Sequence, residues 1–149
     1  MGILFHPDPD HQVVYWFLHG RVTAAQVAAA QQQTLGLESF ADWPAELIHV
    51  DPDTEFDPDI FSKYDRMRPL LRETLARMPA RCAMVCSPIQ MTSAPGFWIS
   101  MAERPDLNRP AYTPFNEPAE AAAWLGIPAP AVEQALASLR DQARRDDDR

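Results

Sequence analysis

Val13-Val14-Tyr15-Trp16-Phe17-Leu18 is β-branched, aromatic or aliphatic at every position. Successive strand side chains point to opposite faces, so a half-exposed strand alternates apolar with polar residues, and this one has no polar face to offer water. It reads as a strand covered on both sides, as in a sheet with helices layered on it.

The neighbouring sequence agrees. Ile3-Leu4-Phe5 forms a short partner strand, and residues 7–11, Pro-Asp-Pro-Asp-His, supply a hairpin-like turn. Gly20 ends the long strand, Thr23 caps a helix from Ala24 to Leu35, and Gly36 closes it. Its apolar stripe (Val27, Ala30, Leu35) is thin, which demands close packing. Leu47-Ile48-His49-Val50, between Pro44 and Pro52, is the next buried strand.

Asp57-Pro58 then provides a cap and a first-turn proline, and Asp59 suits the positive end of the helix. Ile60, Tyr64, Met67, Leu71, Leu75 and Met78 follow at helical spacing, with a kink expected near 65–68 because of Pro69. Cys82 to Cys86 reads as a further strand, stopped by Ser87-Pro88. Pro95 opens a short helix with Phe97, Trp98 and Met101, and Ala111 to Phe115 is a last strand that Pro114 confines to a sheet edge. A helix from about Pro118 to Leu125 ends at Gly126, and beyond Pro128 and Pro130 a final amphipathic helix carries Val132, Leu136 and Leu139 before fraying into a charged tail.

The fold class is therefore α/β: a four- to five-stranded mixed, mostly parallel sheet with helices packed on it, plus an extra C-terminal helix. The expected organisation is one domain over 1–127, followed by the helix and tail at 128–149.

Charge and composition narrow the function. The chain has 149 residues, 46% hydrophobic and 23% charged, and a formal net charge of −8. That is globular composition, and its acidity argues against nonspecific binding of nucleic acid or anionic membranes. The C-terminal ten residues hold four Arg and four Asp and cancel, so the acidity belongs to the folded part. Six basic residues between Lys63 and Arg81, Arg66 among them, face only Asp65 and Glu73, which makes one helix basic. No apolar run is long enough for a transmembrane segment, and the N-terminus has no signal-peptide pattern. With two cysteines, a reducing, cytoplasmic setting is expected. Cys82 and Cys86 share a strand face roughly 13 Å apart, too far for a disulfide, and read as core residues.

No catalytic or cofactor motif stands out. The five glycines are isolated, so neither a phosphate-binding loop nor a dinucleotide fingerprint can be built, and no cofactor is expected. Asp51, Asp53, Glu55, Asp57 and Asp59 fall within nine residues, but Phe56 and Ser62 occupy the positions where a calcium loop needs Gly and Glu. His6, Asp8, Asp10 and His11 look metal-like too, although a turn whose Asp side chains bond its own backbone explains them better. Ser87, His49 and Asp51, at neighbouring strand ends, are the residues an enzyme would use.

One pattern goes further. Gly20-Arg-Val-Thr23 before a helix, a strand ending at Asp51, the Ala83-Met84-Val85 strand, and Tyr112, Phe115 and Glu120 to Leu125 at the end are together similar to the SpoIIAA-like family. These are small bacterial proteins related to STAS domains and, more loosely, to Sec14-type lipid-binding domains. The resemblance covers residues 3 to 127. It implies an α/β sandwich with a regulatory or protein-binding role rather than catalysis. The STAS phosphorylation motif, Asp-Ser-Ser/Thr-Gly, is met here by Asp51-Pro52-Asp53-Thr54 without the Gly, so the phosphoswitch is not carried over.

The expected contact surface comprises Asp51, Asp53, Thr54, Asp57 and Arg66, docking a protein partner. The alternative is a small apolar ligand or lipid in a pocket near Trp16, Phe97, Trp98 and Met101. A homodimer is also expected, through the Phe97-Trp98 helix or the C-terminal helix, whose stripe otherwise covers its own domain.

Overall fold

In the computed structural model, which describes residues 2–35, 45–67, 81–93, 95–96 and 111–149, the long apolar stretch becomes an interior strand. The chain forms β1 (Ile3–Asp8), β2 (Val13–Leu18), β3 (Arg21–Val22), α1 (Ala24–Leu35), β4 (Ala45–Val50), β5 (Glu55–Phe56) and α2 (Ile60–Met67). Then come β6 (Arg81–Val85), a 3₁₀ turn (Gln90–Thr92), β7 (Ala111–Phe115), α3 (Pro118–Leu125) and α4 (Ala129–Asp147).

Five strands make one sheet in the order β1-β2-β4-β6-β7. β1 lies antiparallel to β2, and the other pairings are parallel. β2 and β4 are buried at every position, as an interior strand covered on both faces requires. Glu46 is buried within β4, where the Cys82 thiol donates to its Oε1 at 3.2 Å.

A strand order that advances in one direction, with crossovers of one hand, places the crossover helices on a single face. α1 and α2 accordingly share one core with Val14, Trp16, Leu18, Ile48, Val50, Cys82 and Met84. The opposite face presents Leu4, Val13, Tyr15, Phe17, Leu47, Ala83 and Val85, and it is α3 and α4 that cover it. Val132, Leu136 and Leu139 are all buried there, so the C-terminal stripe packs on its own sheet.

Several boundaries differ from the sequence reading. β1 continues through Pro7 to Asp8, so the turn occupies 9–12 and Gln12 takes a left-handed conformation (φ 54°). Pro7 is tolerated because β1 is an outer strand. β7 is the other outer strand, as Pro114 requires. α4 stays helical to Asp147 rather than fraying, with Arg144 and Arg145 in its last turn, where cations oppose the helix dipole favourably. Arg81 does not belong to a basic helix: it opens β6, and its guanidinium lies 4.1 Å above the Trp124 ring while donating to the Trp124 carbonyl. Pro95 and Gly96 are helical, but the rest of the Pro95 helix with its aromatics, the continuation of α2 past Met67 and the break at Pro69 lie outside the described residues.

Two caps behave as the sequence implies. Thr23 and Gln26 form a reciprocal capping box, Gln26 N–H donating to Thr23 Oγ1 (3.2 Å) and Thr23 N–H to Gln26 Oε1 (2.9 Å). Gly126 takes the left-handed conformation (φ 74°) that ends α3, and Ile127 N–H closes the motif on the Ala122 carbonyl.

Candidate functional site

The carboxyl ends of β2, β4 and β6 converge at one end of the sheet, where open α/β sheets place their sites. The loop after β4 is built by its backbone. Asp51 N–H donates to the Leu18 carbonyl (2.9 Å), Glu55 N–H to Gly20 (2.8 Å) and Asp57 N–H to Val22 (3.0 Å). These bonds pair β5 with β3 in a two-residue parallel ladder, which hydrophobic pattern alone cannot reveal in segments so short. Gly20 makes the junction with a positive φ (58°) that other residues rarely adopt.

Thr54 is a clamp within this loop. Its hydroxyl donates to the Leu18 carbonyl at 2.9 Å and its N–H to Asp51 at 3.0 Å. Gln90 ties in the third strand end, its Nε2 donating to the Asp51 carbonyl (2.9 Å). Ser87, a candidate nucleophile by sequence, exchanges hydrogen bonds with Gln90 and serves as the cap of that turn.

Asp57 departs from the sequence reading, and Asp59 stands at the start of α2 as that reading places it. The Asp57 carboxylate is buried and accepts from Arg21 Nε at 2.7 Å, rather than capping α2 with its side chain. Asp59 pairs with Lys63 at 2.9 Å across one turn, and that cation holds its carboxyl below the usual range. Around Arg21, Thr54, Glu55, Phe56, Asp57 and Ser93 lies an open concavity of about 480 Å³. Asp53 and Glu55 project outward beside it. The structure thus gathers Asp51, Asp53, Thr54 and Asp57 on one loop. Arg66 stands exposed on α2.

A second group of residues, which the sequence reading did not assemble, lies behind that loop. Phe17 and His49 are register partners on β2 and β4, and their rings stack 5.3 Å apart with nearly parallel planes. Arg140 of α4 lies 5.9 Å above the Phe17 ring. Burial, with the nearby Arg140 cation, drives the His49 pKa down to about 4, so this imidazole is neutral at pH 7. His49 Nδ1 and His19 Nε2 are both buried without a hydrogen-bond partner, and His19 Nδ1 is 4.0 Å from an Asp147 carboxylate oxygen.

Asp51 sits at the same strand end, and its carboxyl is raised by burial and then by the hydrogen-bonded Asp53 carboxyl, against the pull of Arg140 and His19. The signal was present in α4: Leu136, Arg140, Ala143 and Asp147 follow one helical stripe, so the charged positions continue the buried face.

The remaining candidates separate. Trp16 is in the core beneath α1, with its indole N–H buried and unpartnered, whereas Phe97, Trp98 and Met101 lie outside the described residues. In the β1–β2 turn, Asp8 Oδ1 accepts from the backbone N–H of Asp10 (3.1 Å) and His11 (3.3 Å), and Asp8 Oδ2 meets His11 Nδ1 at 2.8 Å. That turn is closed on itself. Among the described residues no group of three or more His, Cys, Asp or Glu side chains is arranged to hold a metal ion, and no helix is long and apolar enough to cross a membrane. Cys82 and Cys86 are both buried thiols, and burial pushes the Cys86 thiol up.

No family model, curated protein or solved structure matches the chain.

Proposed function

We propose that the protein is a non-enzymatic interaction module that docks a basic surface of a partner protein on the Asp51–Asp59 loop. One observation carries this reading: the loop's backbone is bonded to β2 and β3 along its length, so its outward carboxylates are held in place before any partner arrives. Ordering a flexible loop is a main cost of association, and a preformed one avoids it. Glu55 and Asp53, the latter also hydrogen-bonded to Asp51, are exposed to meet Lys or Arg, while Asp57 and Asp59 already have cations of their own. The net charge of −8 would steer a basic partner toward the molecule. Ser87 being engaged as a cap weakens the enzymatic alternative built on Ser87, His49 and Asp51.

The test is affinity capture from native lysate with the wild type and with an Asp53→Lys, Glu55→Lys double variant, compared at low and high salt. The reading requires a wild-type partner that is lost by charge reversal and weakened by salt. The same proteins retained by both baits would show that this loop is not the contact.

A further inference from the structure

β1 is an outer strand, and the hydrogen-bond register says which of its backbone groups are free. His19 N–H donates to the Gly2 carbonyl directly opposite (2.9 Å), and Ile3 stands across from Leu18. Opposed residues in an antiparallel pair alternate between exchanging both bonds and exchanging none. Gly2, Leu4, His6 and Asp8 are therefore the positions bonded to β2. Ile3, Phe5 and Pro7 turn their backbone groups away from it, toward a side on which no described strand pairs. Pro7 lacks an N–H, but Ile3 and Phe5 each present a donor and an acceptor.

Natural edge strands are guarded by charged side chains, prolines or bulges. Residues 3–6 of β1 have none of these, the guards Pro7 and Asp8 standing at the far end of the strand, and the helix beside them on one face is equally bare. α1 contains no Asp, Glu, Lys or Arg, and an open concavity of about 550 Å³ runs along it, lined by Ile3, Gln26, Ala29, Ala30, Gln32 and Gln33. On the other face, α4 approaches the hairpin with Ala131, Gln134, Ala135 and Ser138, and the acidic side chains there, Asp8 and Asp10, belong to the turn end of the hairpin beyond residues 3–6. A chain of net charge −8 repels its own copies unless they meet where the charge is absent.

We infer that this edge pairs with the same edge of a second copy, β1 against β1 in antiparallel register, joining two sheets into one. Ile3 stands opposite Phe5 of the second copy and Phe5 opposite Ile3, so each outward donor meets an outward acceptor and none is left over. An antiparallel pairing of identical strands obeys a two-fold axis, which closes the assembly at a dimer. The axis runs through the sheet, so the two α1 helices flank the seam on one face and the two α4 helices on the other. This is a different surface from the Phe97-Trp98 helix and from the C-terminal stripe, which is already buried at home.

Light scattering across a concentration series, followed by residue-resolved amide exchange on the full chain, tests the pairing. The expected result is a dimer in which the Ile3 and Phe5 amides are protected as well as those of Leu4 and His6, with the Ile3 and Phe5 protection lost on dilution. A monomer throughout overturns the inference. So does a dimer whose Ile3 and Phe5 amides exchange on the order of 100-fold faster than Leu4 and His6. Phe5→Pro removes an outward donor that the β1–β2 ladder does not use and should give a folded monomer. A folded Phe5→Pro dimer counts against the pairing, and the wild-type exchange pattern decides however that variant folds.

Discussion

His49 should make the protein lose stability on mild acidification, by an amount that can be worked out. Its imidazole titrates near 6.5 in an unfolded chain and at about 4 in the fold, because burial against Phe17 and the Arg140 cation both disfavour the charged ring. A depressed folded pKa means that between these values the unfolded chain holds a proton that the folded one refuses. The contribution is fully present above about pH 6.5 and is lost as pH falls toward 4. At about 1.4 kcal/mol per pH unit the whole loss approaches about 3 kcal/mol, of which about 2 kcal/mol falls between pH 7 and pH 5. Asp51 acts oppositely, since its raised carboxyl costs stability at neutral pH and is relieved on acidification. Subtraction removes that background. His49→Phe keeps an aromatic ring over Phe17 and eliminates the titration. Urea unfolding of both proteins at pH 7 and pH 5 should show the wild type losing about 2 kcal/mol more than the variant. Parallel losses would mean that His49 reaches solvent when protonated, and the burial argument would fail.

Arg21→Met should destabilise the fold by leaving the buried Asp57 carboxylate unpaired, and Asp57→Asn in that background should recover part of the loss. Thermal melts of the two single variants and the double variant at pH 7 measure both effects. Leu136→Ala, at a buried position of α4, should cost about 2–5 kcal/mol, read by denaturant titration. Ending the chain after Ala129 uncovers Val13, Tyr15 and Phe17, so light scattering should find aggregate in place of a compact monomer. Asp51→Asn should raise the melting temperature at pH 7 and lose that advantage below pH 4, because it removes a carboxyl whose ionisation the fold opposes.

What could be read in the sequence was whatever depends on one segment at a time. Residues 13–18 have no polar face, and the strand they form is interior. Thr23 precedes the helix as its cap, and its hydroxyl accepts from the Gln26 N–H. Pro114 suits an outer strand, and β7 is outermost among those described. Features that need two distant segments escaped. β3 and β5 are two residues each and acquire strand geometry only from each other. Asp57 follows a helix-cap pattern in sequence, yet a cation 36 residues away captures its side chain. His19, His49, Asp51 and Arg140 belong to three elements or their ends, and only the register of β2 against β4, with α4 laid across it, brings them together.

The C-terminal helix shows why topology has to be reasoned through as well as counted. Strand order β2-β4-β6-β7 advances steadily, and crossovers of one hand then put α1 and α2 on one face. Yet β2 and β4 are apolar on both faces, so a second layer must come from somewhere other than the crossovers. The layer there is made by α3 and α4, which follow β7. α3 alone is eight residues long, too short to span β1, β2, β4 and β6. The 19-residue α4 reaches β1 and β2 as well as α3, and its last turns bring Arg140 and Asp147 to the ends of β2 and β4. A helix that reads as an appendage by its flanking prolines is thus half of the sheet's second covering, and it also carries the charge that sets the titration of His49.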